Sequence, residues 1–319
     1  MIITDDFAFS AARVSIAAAI AAARLVGRGD EMAADQAAVA AMRTALNAMA
    51  IAGRIVIGEG ERDEAPMLYI GEQVGTGNGP EFDVALDPLE GTTLTAKAMA
   101  DALAVIAFAP RGGLLHAPDT YMEKLAIGPG YDSGVVDLDR PIDDNVKALA
   151  KAKGVTPADI GVCVLDRPRH GAIIERLRAV GARVHLITDG DVAGVIACSK
   201  PETGVDMYVG QGGAPEGVLA AAALKCVGGQ FQARLVFRND EERARADRAG
   251  ITDLKRRYQL DDLVSQPAIF IATGVTSGAL LDGVRQHGGC VATHTLVMNS
   301  ATRMACELRV KHPATSKVR

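Results

Sequence analysis

The chain has 319 residues, of which 49% are hydrophobic and only 4% aromatic, so it can bury a full core of small aliphatic side chains. This composition excludes a disordered or fibrous protein. Its 34 Lys and Arg residues against 39 Asp and Glu residues give a net charge of −5. No basic block or aromatic-studded basic stripe is present, which argues against a nucleic-acid partner.

The five cysteines are widely spaced and lie in apolar runs, without a C-x-x-C pair. This pattern is typical of buried, reduced thiols and predicts a cytoplasmic protein. The N-terminus carries Asp5 and Asp6 instead of a basic region, and no apolar run reaches the roughly 18 to 20 residues of a transmembrane helix. We therefore expect neither export nor a membrane partner.

Two helices are predicted at the start of the chain, over residues 10–26 and about 33–50, because apolar side chains recur there at helical spacing. The glycine-bounded turn 27–30 separates them. Asp35 lies in the first turn of the second helix, where a carboxylate is also favoured simply by the helix dipole.

Two short predicted strands, residues 54–57 and 82–86, each run directly into acidic residues. After the first, residues 59–64 contain four carboxylates; after the second, the chain is expected to turn at Asp87. Asp87 and Glu90 can converge on one hard cation such as Mg²⁺ or Mn²⁺, and Gly91 with Thr92 can offer backbone N–H groups to an anion. Two acidic strand ends favour a two-metal site, and the alternative is that the carboxylates are solvated loop residues.

The middle of the chain predicts a strand over residues 102–109, a turn, and an apolar segment over 113–117. Tyr121 follows, with a ligand contact and ordinary packing as open alternatives. The Pro- and Gly-rich span 128–141 is expected to join two halves. We therefore divide the chain into an N-terminal metal-binding α+β half, residues 1–140, and a C-terminal α/β substrate-binding half, residues 141–319.

The second half reads as a series of alternating strands and helices, with strands at 160–165, 183–187 and 206–210. Sheets of this kind carry ligand groups at strand carboxyl ends, where Arg167, Arg169, Asp189, Asp191 and Glu216 occur. The Gly-rich loop after the third strand does not fit a dinucleotide fingerprint, because Pro215 stands where its last glycine is required. A charged helix over 239–257, a strand over 269–274 and a frayed basic tail after Leu308 complete the prediction.

Six motifs occur in order: G-E-G-E-R-D-E-A-P at 58–66, D-P-L-E-G-T at 87–92, Y-M-E-K-L at 121–125, P-R-H at 168–170, D-G-D at 189–191 and G-G-A-P-E-G at 212–217. Together they resemble class II fructose-1,6-bisphosphatase, within the lithium-sensitive phosphatase superfamily. The resemblance covers nearly the whole chain and thins over the last ten or so residues. D-P-L-E-G-T alone also fits inositol monophosphatases.

The resemblance implies an α/β fold, a layered α/β/α/β/α sandwich of the sugar-phosphatase type with two sheet-containing halves. It implies Mn²⁺- or Mg²⁺-dependent hydrolysis of the 1-phosphate of fructose 1,6-bisphosphate in gluconeogenesis and, in some bacteria, of sedoheptulose 1,7-bisphosphate. A homodimer or homotetramer in the cytoplasm is also implied.

The resemblance also assigns roles to residues. The implied metal ligands are Asp35 and Glu59 for one ion, and Asp87, Glu90 and Glu216 for a second. The implied substrate-binding residues are Glu90, Gly91, Thr92, Tyr121, Arg167, Pro168, Arg169, Asp189, Gly190, Asp191 and Gly213. The implied catalytic residues are Thr92, Asp63 and Glu61, with Thr92 and Asp63 orienting the attacking water. Helix capping by Thr92 and a solvated Asp63 are the alternatives.

Two positions depart from the family pattern. Arg167 stands where the family often has Lys, and Glu31 where it usually has a Lys near the reacting phosphate. For Glu31 three outcomes are open: the side chain points away, another cation such as Arg28 substitutes, or the protein is a weak phosphatase. Two other functions are an inactive phosphosugar-binding regulator and a lithium-sensitive phosphatase of the inositol monophosphatase type.

Overall fold

The computed structural model describes residues 3–60 and 67–313. Contacts within the chain divide it into two compact units. Unit 1 comprises Met1–Arg111 and Pro267–Arg319, and unit 2 comprises Gly112–Gln266.

In chain order the helices and strands are α1 (Asp5–Ala23), α2 (Glu31–Asn47), β1 (Ala52–Ile57), β2 (Gln73–Val74), β3 (Glu81–Glu90), α3 (Thr92–Ala96), β4 (Leu103–Pro110), β5 (Tyr121–Ile127), α4 (Ile142–Lys153), β6 (Gly161–Leu165), α5 (Gly171–Ala179), β7 (Arg183–Ile187), α6 (Asp191–Ala197), β8 (Met207–Gly213), α7 (Ala214–Val227), β9 (Gln230–Val236), α8 (Asp240–Arg248), β10 (Arg257–Gln259), α9 (Leu260–Leu263), β11 (Ile269–Gly274), β12 (Arg285–His287), β13 (Cys290–Asn299) and β14 (Met304–Pro313).

The sheet of unit 1 has, among the described residues, eight strands in the order β12-β13-β11-β4-β3-β1-β2, with β14 paired to β13. β3 is parallel to β1 and antiparallel to β4, and β11 returns from the end of the chain to pair with β4 along its length. This return explains why the contacts divide the chain at residues 111 and 266 and not at residue 140. Pairing between strands more than 150 residues apart leaves no local trace in the sequence.

The helix α1 packs on this sheet through small side chains. Thr4 caps it by accepting a hydrogen bond from the N–H of Phe7, and its buried face consists mainly of alanines. The hydroxyl of Ser15, buried on this face, lies 2.8 Å from that of Thr273 on β11. A core of alanines and closely approaching elements is what the composition predicts.

Among the described residues, α1 is the helix with the length and hydropathy of a membrane span, and half of that stretch is buried inside the structure. This helix passes on mean hydropathy although Asp5, Asp6 and Arg13 interrupt it, so it is not the unbroken apolar run that the sequence analysis considered. A core helix of a folded unit passes the same test, and the buried alanine face of α1 is of that kind.

The sheet of unit 2 has the order β10-β9-β5-β8-β6-β7. β6 is parallel to β7 and to β8, whereas β5 is antiparallel to β8 and β9. α4 and α5 cover one apolar face of this sheet. The fold class, α/β with two sheet-containing halves, is thus confirmed, and both sheets are mixed.

Several predicted elements differ from the structure. The second acidic strand does not turn at Asp87 but continues as β3 to Glu90. The charged helix ends at Arg248, not at residue 257. The apolar segment 113–117 contains an isolated bridge from Leu114 to Val264. The chain after Leu308 is not frayed as far as Pro313, because it forms the last part of β14 and pairs with β13.

Candidate active site

The carboxylates of Asp87 and Glu90 are brought together by an irregularity in β3. Asp87 lies opposite Val105 of β4, but Glu90 lies opposite Leu103, so three steps on one strand match two on the other. Residues three apart in a regular strand point to opposite faces, and one extra residue reverses that alternation. As a result each carboxylate places an oxygen within 4.8 Å of the other, although Glu90 is only 5% exposed.

Asp35 adds a third negative group in unit 1. It lies in the second turn of α2, and burial, followed by the charge of Asp87, raises its pKa to about 6. Carboxylates that oppose each other's ionisation and offer only oxygen atoms fit a hard divalent cation. Asp35, Asp87 and Glu90 therefore suit the two-metal site that the sequence predicts.

Glu59 follows β1 and is partly exposed, with its N–H donating to the carbonyl of Leu68. Glu61 and Asp63, predicted to be catalytic, lie outside the described residues. Their roles stay predictions.

Gly91 and Thr92 form the connection from β3 to α3. Gly91 has φ 91°, a left-handed conformation that favours glycine, and it directly precedes the first helical residue, Thr92. The α3 helix is tied back by Thr95, whose N–H and hydroxyl both donate to the carbonyl of Gly91. Thr92 thus starts a short helix directly beyond the two acidic positions of β3.

In unit 2 the predicted substrate-binding residues follow three strands that run in the same direction. Arg167 and Arg169 come after β6, Asp189 and Asp191 after β7, and Gly213 ends β8. Because carboxyl ends of parallel strands meet at one edge of a sheet, these residues lie along that edge.

The Arg169 guanidinium is held in place by the backbone of β8. Its Nε and Nη2 donate to the carbonyl oxygen of Gln211 at 3.1 and 2.7 Å. The next residue, His170, donates from Nδ1 to the carbonyl of Leu165 at 2.7 Å and accepts at Nε2 from the N–H of Gln211 at 2.8 Å. This pairing fixes His170 as the neutral Nδ1–H tautomer and joins the ends of β6 and β8.

Tyr121 is the first residue of β5, and its ring packs against two charged side chains. The sequence leaves a ligand contact and ordinary packing as alternatives for Tyr121, and this packing does not decide between them. The guanidinium of Arg169 lies 5.0 Å and that of Arg238 lies 4.3 Å from the ring centroid. Arg238 is itself paired with the buried carboxylate of Glu242. A cavity of about 520 Å³, a size typical of small-molecule sites, also reaches Arg169.

Asp191 is buried and paired. It is the first residue of α6, follows left-handed Gly190, and accepts a hydrogen bond from Lys124 of β5 at 2.6 Å. Asp189 is partly buried at the end of the same β7 connection.

Glu216 lies in the first turn of α7, and its carboxylate lies close to Gly213, the last residue of β8. A Cβ atom on Gly213 would lie 1.9 Å from Oε2 of Glu216, so a larger residue at this position would require the Glu216 side chain to move. Gly213 therefore has a packing role in addition to the substrate contact that the sequence predicts.

Sequence reasoning missed four residues at this edge of unit 2. Lys124 and His170 occur in the quoted motifs without a role, Gln211 precedes another motif, and Arg238 precedes a segment interpreted only as a charged helix. Of these four residues, only Lys124 has a local signal in the sequence, because it is a lysine in a largely apolar strand. The contacts of the other three depend on pairing between distant strands.

Comparison with known proteins gives one consistent result. The family model described as bacterial fructose-1,6-bisphosphatase, glpX-encoded, matches residues 5–312. The chain is 44% identical over 321 residues to fructose-1,6-bisphosphatase 1 class 2 of Escherichia coli strain K12, covering 96% of this chain and 95% of that protein. The fructose-1,6-bisphosphatase class 2 proteins of another Escherichia coli strain and of Shigella flexneri match with the same identity and coverage.

Proposed function

Since this chain belongs to the bacterial fructose-1,6-bisphosphatase family of class 2 and is a phosphatase, we propose that it hydrolyses fructose 1,6-bisphosphate to fructose 6-phosphate and phosphate with a divalent metal. The metal requirement is supported by the repulsion between the carboxylates of Asp35 and Asp87. Burial and the charge of Asp87 raise the pKa of Asp35 to about 6. Such groups are stabilised together by a cation.

Asp35 and Glu59 are proposed to hold one ion, and Asp87, Glu90 and Glu216 a second, as in the matched motifs. Bound metal of this kind neutralises phosphoryl oxygens and lowers the pKa of coordinated water. Mn²⁺ and Mg²⁺ both prefer the oxygen ligands that these side chains offer.

The residues of unit 2 are proposed to bind the non-reacting part of the substrate. Arg169, whose guanidinium is already oriented by the Gln211 carbonyl, has donors left for the 6-phosphate, and Arg167 adds a second cation. Asp189 and Asp191 accept hydrogen bonds from sugar hydroxyls.

Thr92, with Gly91 and the carboxylates Glu61 and Asp63, is proposed to serve the reacting phosphate. Thr92 and Asp63 orient the attacking water, and Gly91 offers its backbone to the phosphate. Phosphate monoesters hydrolyse extremely slowly without a catalyst, so positioning alone is not sufficient and the metal ligands are required.

A role in gluconeogenesis, activity on sedoheptulose 1,7-bisphosphate and a homodimeric or homotetrameric assembly are proposed from the family resemblance alone. All five cysteines are free thiols, which supports the proposed cytoplasmic location.

The test is phosphate release from fructose 1,6-bisphosphate by the purified protein with Mn²⁺ or Mg²⁺, compared with EDTA and with fructose 6-phosphate and inositol 1-phosphate as substrates. The proposal predicts metal-dependent release from the bisphosphate in clear preference to the monophosphates. Binding without release indicates a phosphosugar-binding regulator, and preference for inositol phosphate indicates the inositol monophosphatase type.

A further inference from the structure

Lys124 is a lysine with no exposed surface in the middle of β5. Lysines are rarely buried to this extent unless they are paired. Its Nζ lies 2.6 Å from Oδ2 of Asp191, which is only 5% exposed. Each charge therefore compensates the other, and removal of either one would leave a buried ion without a partner.

Two glycines provide the space for this pair. A Cβ on Gly212 would lie 1.9 Å from Oδ2 of Asp191 and 3.2 Å from Nζ of Lys124. A Cβ on Gly217 would lie 3.3 Å from Cε of Lys124. The carboxylate of Asp191 is consequently confined by β5 and β8, and its position at the start of α6 is defined by the lysine.

Both donors to Asp191 act on the same oxygen. The hydroxyl of Tyr208 lies 3.4 Å from Oδ2, the atom that Lys124 also contacts. Among the described residues this leaves Oδ1 as the acceptor available to a ligand at the carboxyl edge of the sheet. A carboxylate with one oxygen fixed presents the other in a defined direction.

We propose that Lys124 is a positioning residue for sugar recognition: its buried ammonium fixes the ionised carboxylate of Asp191 so that Oδ1 accepts a hydrogen bond from a substrate hydroxyl. Lys124 does not itself contact the substrate. The proposal rests on the function proposed above, because a sugar phosphate is the ligand that Asp191 meets in that scheme.

A purely structural salt bridge would behave differently. It would lower the melting temperature when broken but leave substrate affinity unchanged in the folded protein. The chain offers a matched control, since Lys153 is paired with Asp206 near the start of β8, at the end opposite to Gly213.

The experiment compares Lys124→Met, which removes the charge and the donor, with Lys124→Gln, which retains a donor, and with the control Lys153→Met. KM and kcat are measured with fructose 1,6-bisphosphate and Mn²⁺, and turnover is measured with p-nitrophenyl phosphate, which has no sugar. We expect Lys124→Met to raise KM at least tenfold and Lys124→Gln at least threefold, with p-nitrophenyl phosphate turnover within threefold of wild type. Lys153→Met should leave KM within twofold.

A double variant tests whether Lys124 acts through Asp191. Adding Lys124→Met to Asp191→Asn should change KM by less than twofold relative to Asp191→Asn alone. A folded Lys124→Met protein with KM within twofold of wild type overturns the proposal, and so does a further tenfold loss in the double variant. If Lys124→Met does not fold, Lys124→Gln decides: an unchanged KM overturns the proposal.

Calorimetric binding of fructose 6-phosphate separates this inference from the proposed function, because it requires no turnover. Wild-type protein that binds fructose 6-phosphate but releases no phosphate refutes the proposed function alone. In that case tenfold weaker binding by Lys124→Met still supports the role of Lys124, and equal binding refutes it. Wild-type protein that does not bind fructose 6-phosphate refutes both.

Discussion

Asp35 on α2 and Asp87 on β3 oppose each other's ionisation: burial of Asp35 and, after it, the charge of Asp87 raise the pKa of Asp35 from 3.8 to about 6. An acid whose pKa is raised by folding stabilises the protein fully below its unfolded value and loses that contribution as the pH rises through the folded value. In metal-free protein this loss falls between about pH 4 and pH 6. Above that range a bound cation is the natural compensation.

The first prediction is that Asp35→Asn stabilises the metal-free protein at pH 7.5, because it removes an ionised group from a repulsive site. After allowance for the partial exposure of Asp35, the gain is roughly 1 kcal/mol, or about 2 °C in Tm, and it disappears at pH 4. Melting curves in EDTA at both pH values measure this. In Mn²⁺ the order should reverse, since the variant lacks a proposed ligand.

Asp240→Asn is the control, because Asp240 is a fully exposed carboxylate in the first turn of another helix. It should not raise the metal-free Tm at pH 7.5, because it loses a favourable helix-dipole interaction, and it should not change the response to Mn²⁺. A lower metal-free Tm for Asp35→Asn at pH 7.5 would contradict the repulsion.

The second prediction concerns Glu216, which the family resemblance assigns to the same ion as Asp87 and Glu90. Glu216→Gln should weaken Mn²⁺ binding and lower kcat/KM at least tenfold, equivalent to about 1.4 kcal/mol of transition-state stabilisation. Activity is titrated against Mn²⁺, with Glu202→Gln, an exposed acid in unit 2, as the control. Normal turnover at limiting Mn²⁺ would remove Glu216 from the ligand set.

The strands that carry these residues show what local sequence can predict. β7 and β11 were predicted at their observed limits, because short apolar runs between turns specify a strand directly. The predicted β3 is too short, because the Asp87-Pro88 pair is typical of a turn. In the structure the strand continues through this pair, and its pairing with β4 is irregular there. The pattern located the acids, but it did not show the bulge that brings them together.

The third prediction concerns the distal phosphate. Arg169→Ala removes a guanidinium that Gln211 holds by two hydrogen bonds, so kcat/KM for the bisphosphate should fall at least tenfold while p-nitrophenyl phosphate is spared. Arg169→Lys should recover only part of the loss, because an ammonium does not reproduce the planar fork. Arg178→Ala, on the exposed side of α5, serves as the control. An equal loss on both substrates would place Arg169 at the reacting phosphate.

The fourth prediction concerns His170, whose pKa is lowered below 6.5, chiefly by burial and further by the charges of Arg169 and Arg167. The Leu165 carbonyl and Asp191 act in the opposite direction. Because the folded protein keeps this histidine neutral, the unfolded chain binds more protons below pH 6.5, and stability is lost as the pH falls through the folded value.

Protonation of His170 would also remove the acceptor for the N–H of Gln211. We therefore expect wild type to lose more Tm between pH 7.5 and pH 5 than His170→Gln, whose amide does not titrate. His287→Gln, at an exposed position on β12, should follow wild type. Parallel curves for wild type and His170→Gln would show that this histidine does not couple to folding.

Contacts such as His170 with Gln211 also show where sequence reasoning ends. By resemblance the P-R-H motif predicts that Arg169 binds substrate, but the orientation of Arg169 depends on β6 and β8 being neighbours. Likewise Lys124 and Asp191 are 67 residues apart and meet only because β5 belongs to the same sheet as β7 and β8, the strands before and after α6. The sequence shows which side chains can bind a ligand. The residue that orients each of these side chains is determined by pairing between distant strands.

The last prediction concerns Glu31, where the family usually has Lys. Glu31 is exposed in the first turn of α2, where a carboxylate is favoured by the helix dipole, and Asp30 caps the same turn by accepting from the N–H of Ala33. The preceding loop is fixed to α3, since Gly27 and Gly29 donate to the carbonyls of Thr95 and Ala96. An exposed side chain in this turn can point into solvent without disturbing that loop.

We therefore expect wild type to hydrolyse fructose 1,6-bisphosphate with Mn²⁺, and Glu31→Lys to have equal or higher activity at a cost in stability of about 0.3–1 kcal/mol from the reversed helix-dipole interaction. Glu241→Lys, the same change in the first turn of α8, should show the stability cost without an effect on activity. Initial rates and melting curves of the three proteins measure both effects. If wild type releases no phosphate with metal and Glu31→Lys restores release, the charge at position 31 has inactivated this phosphatase and the proposed function is wrong for the natural chain.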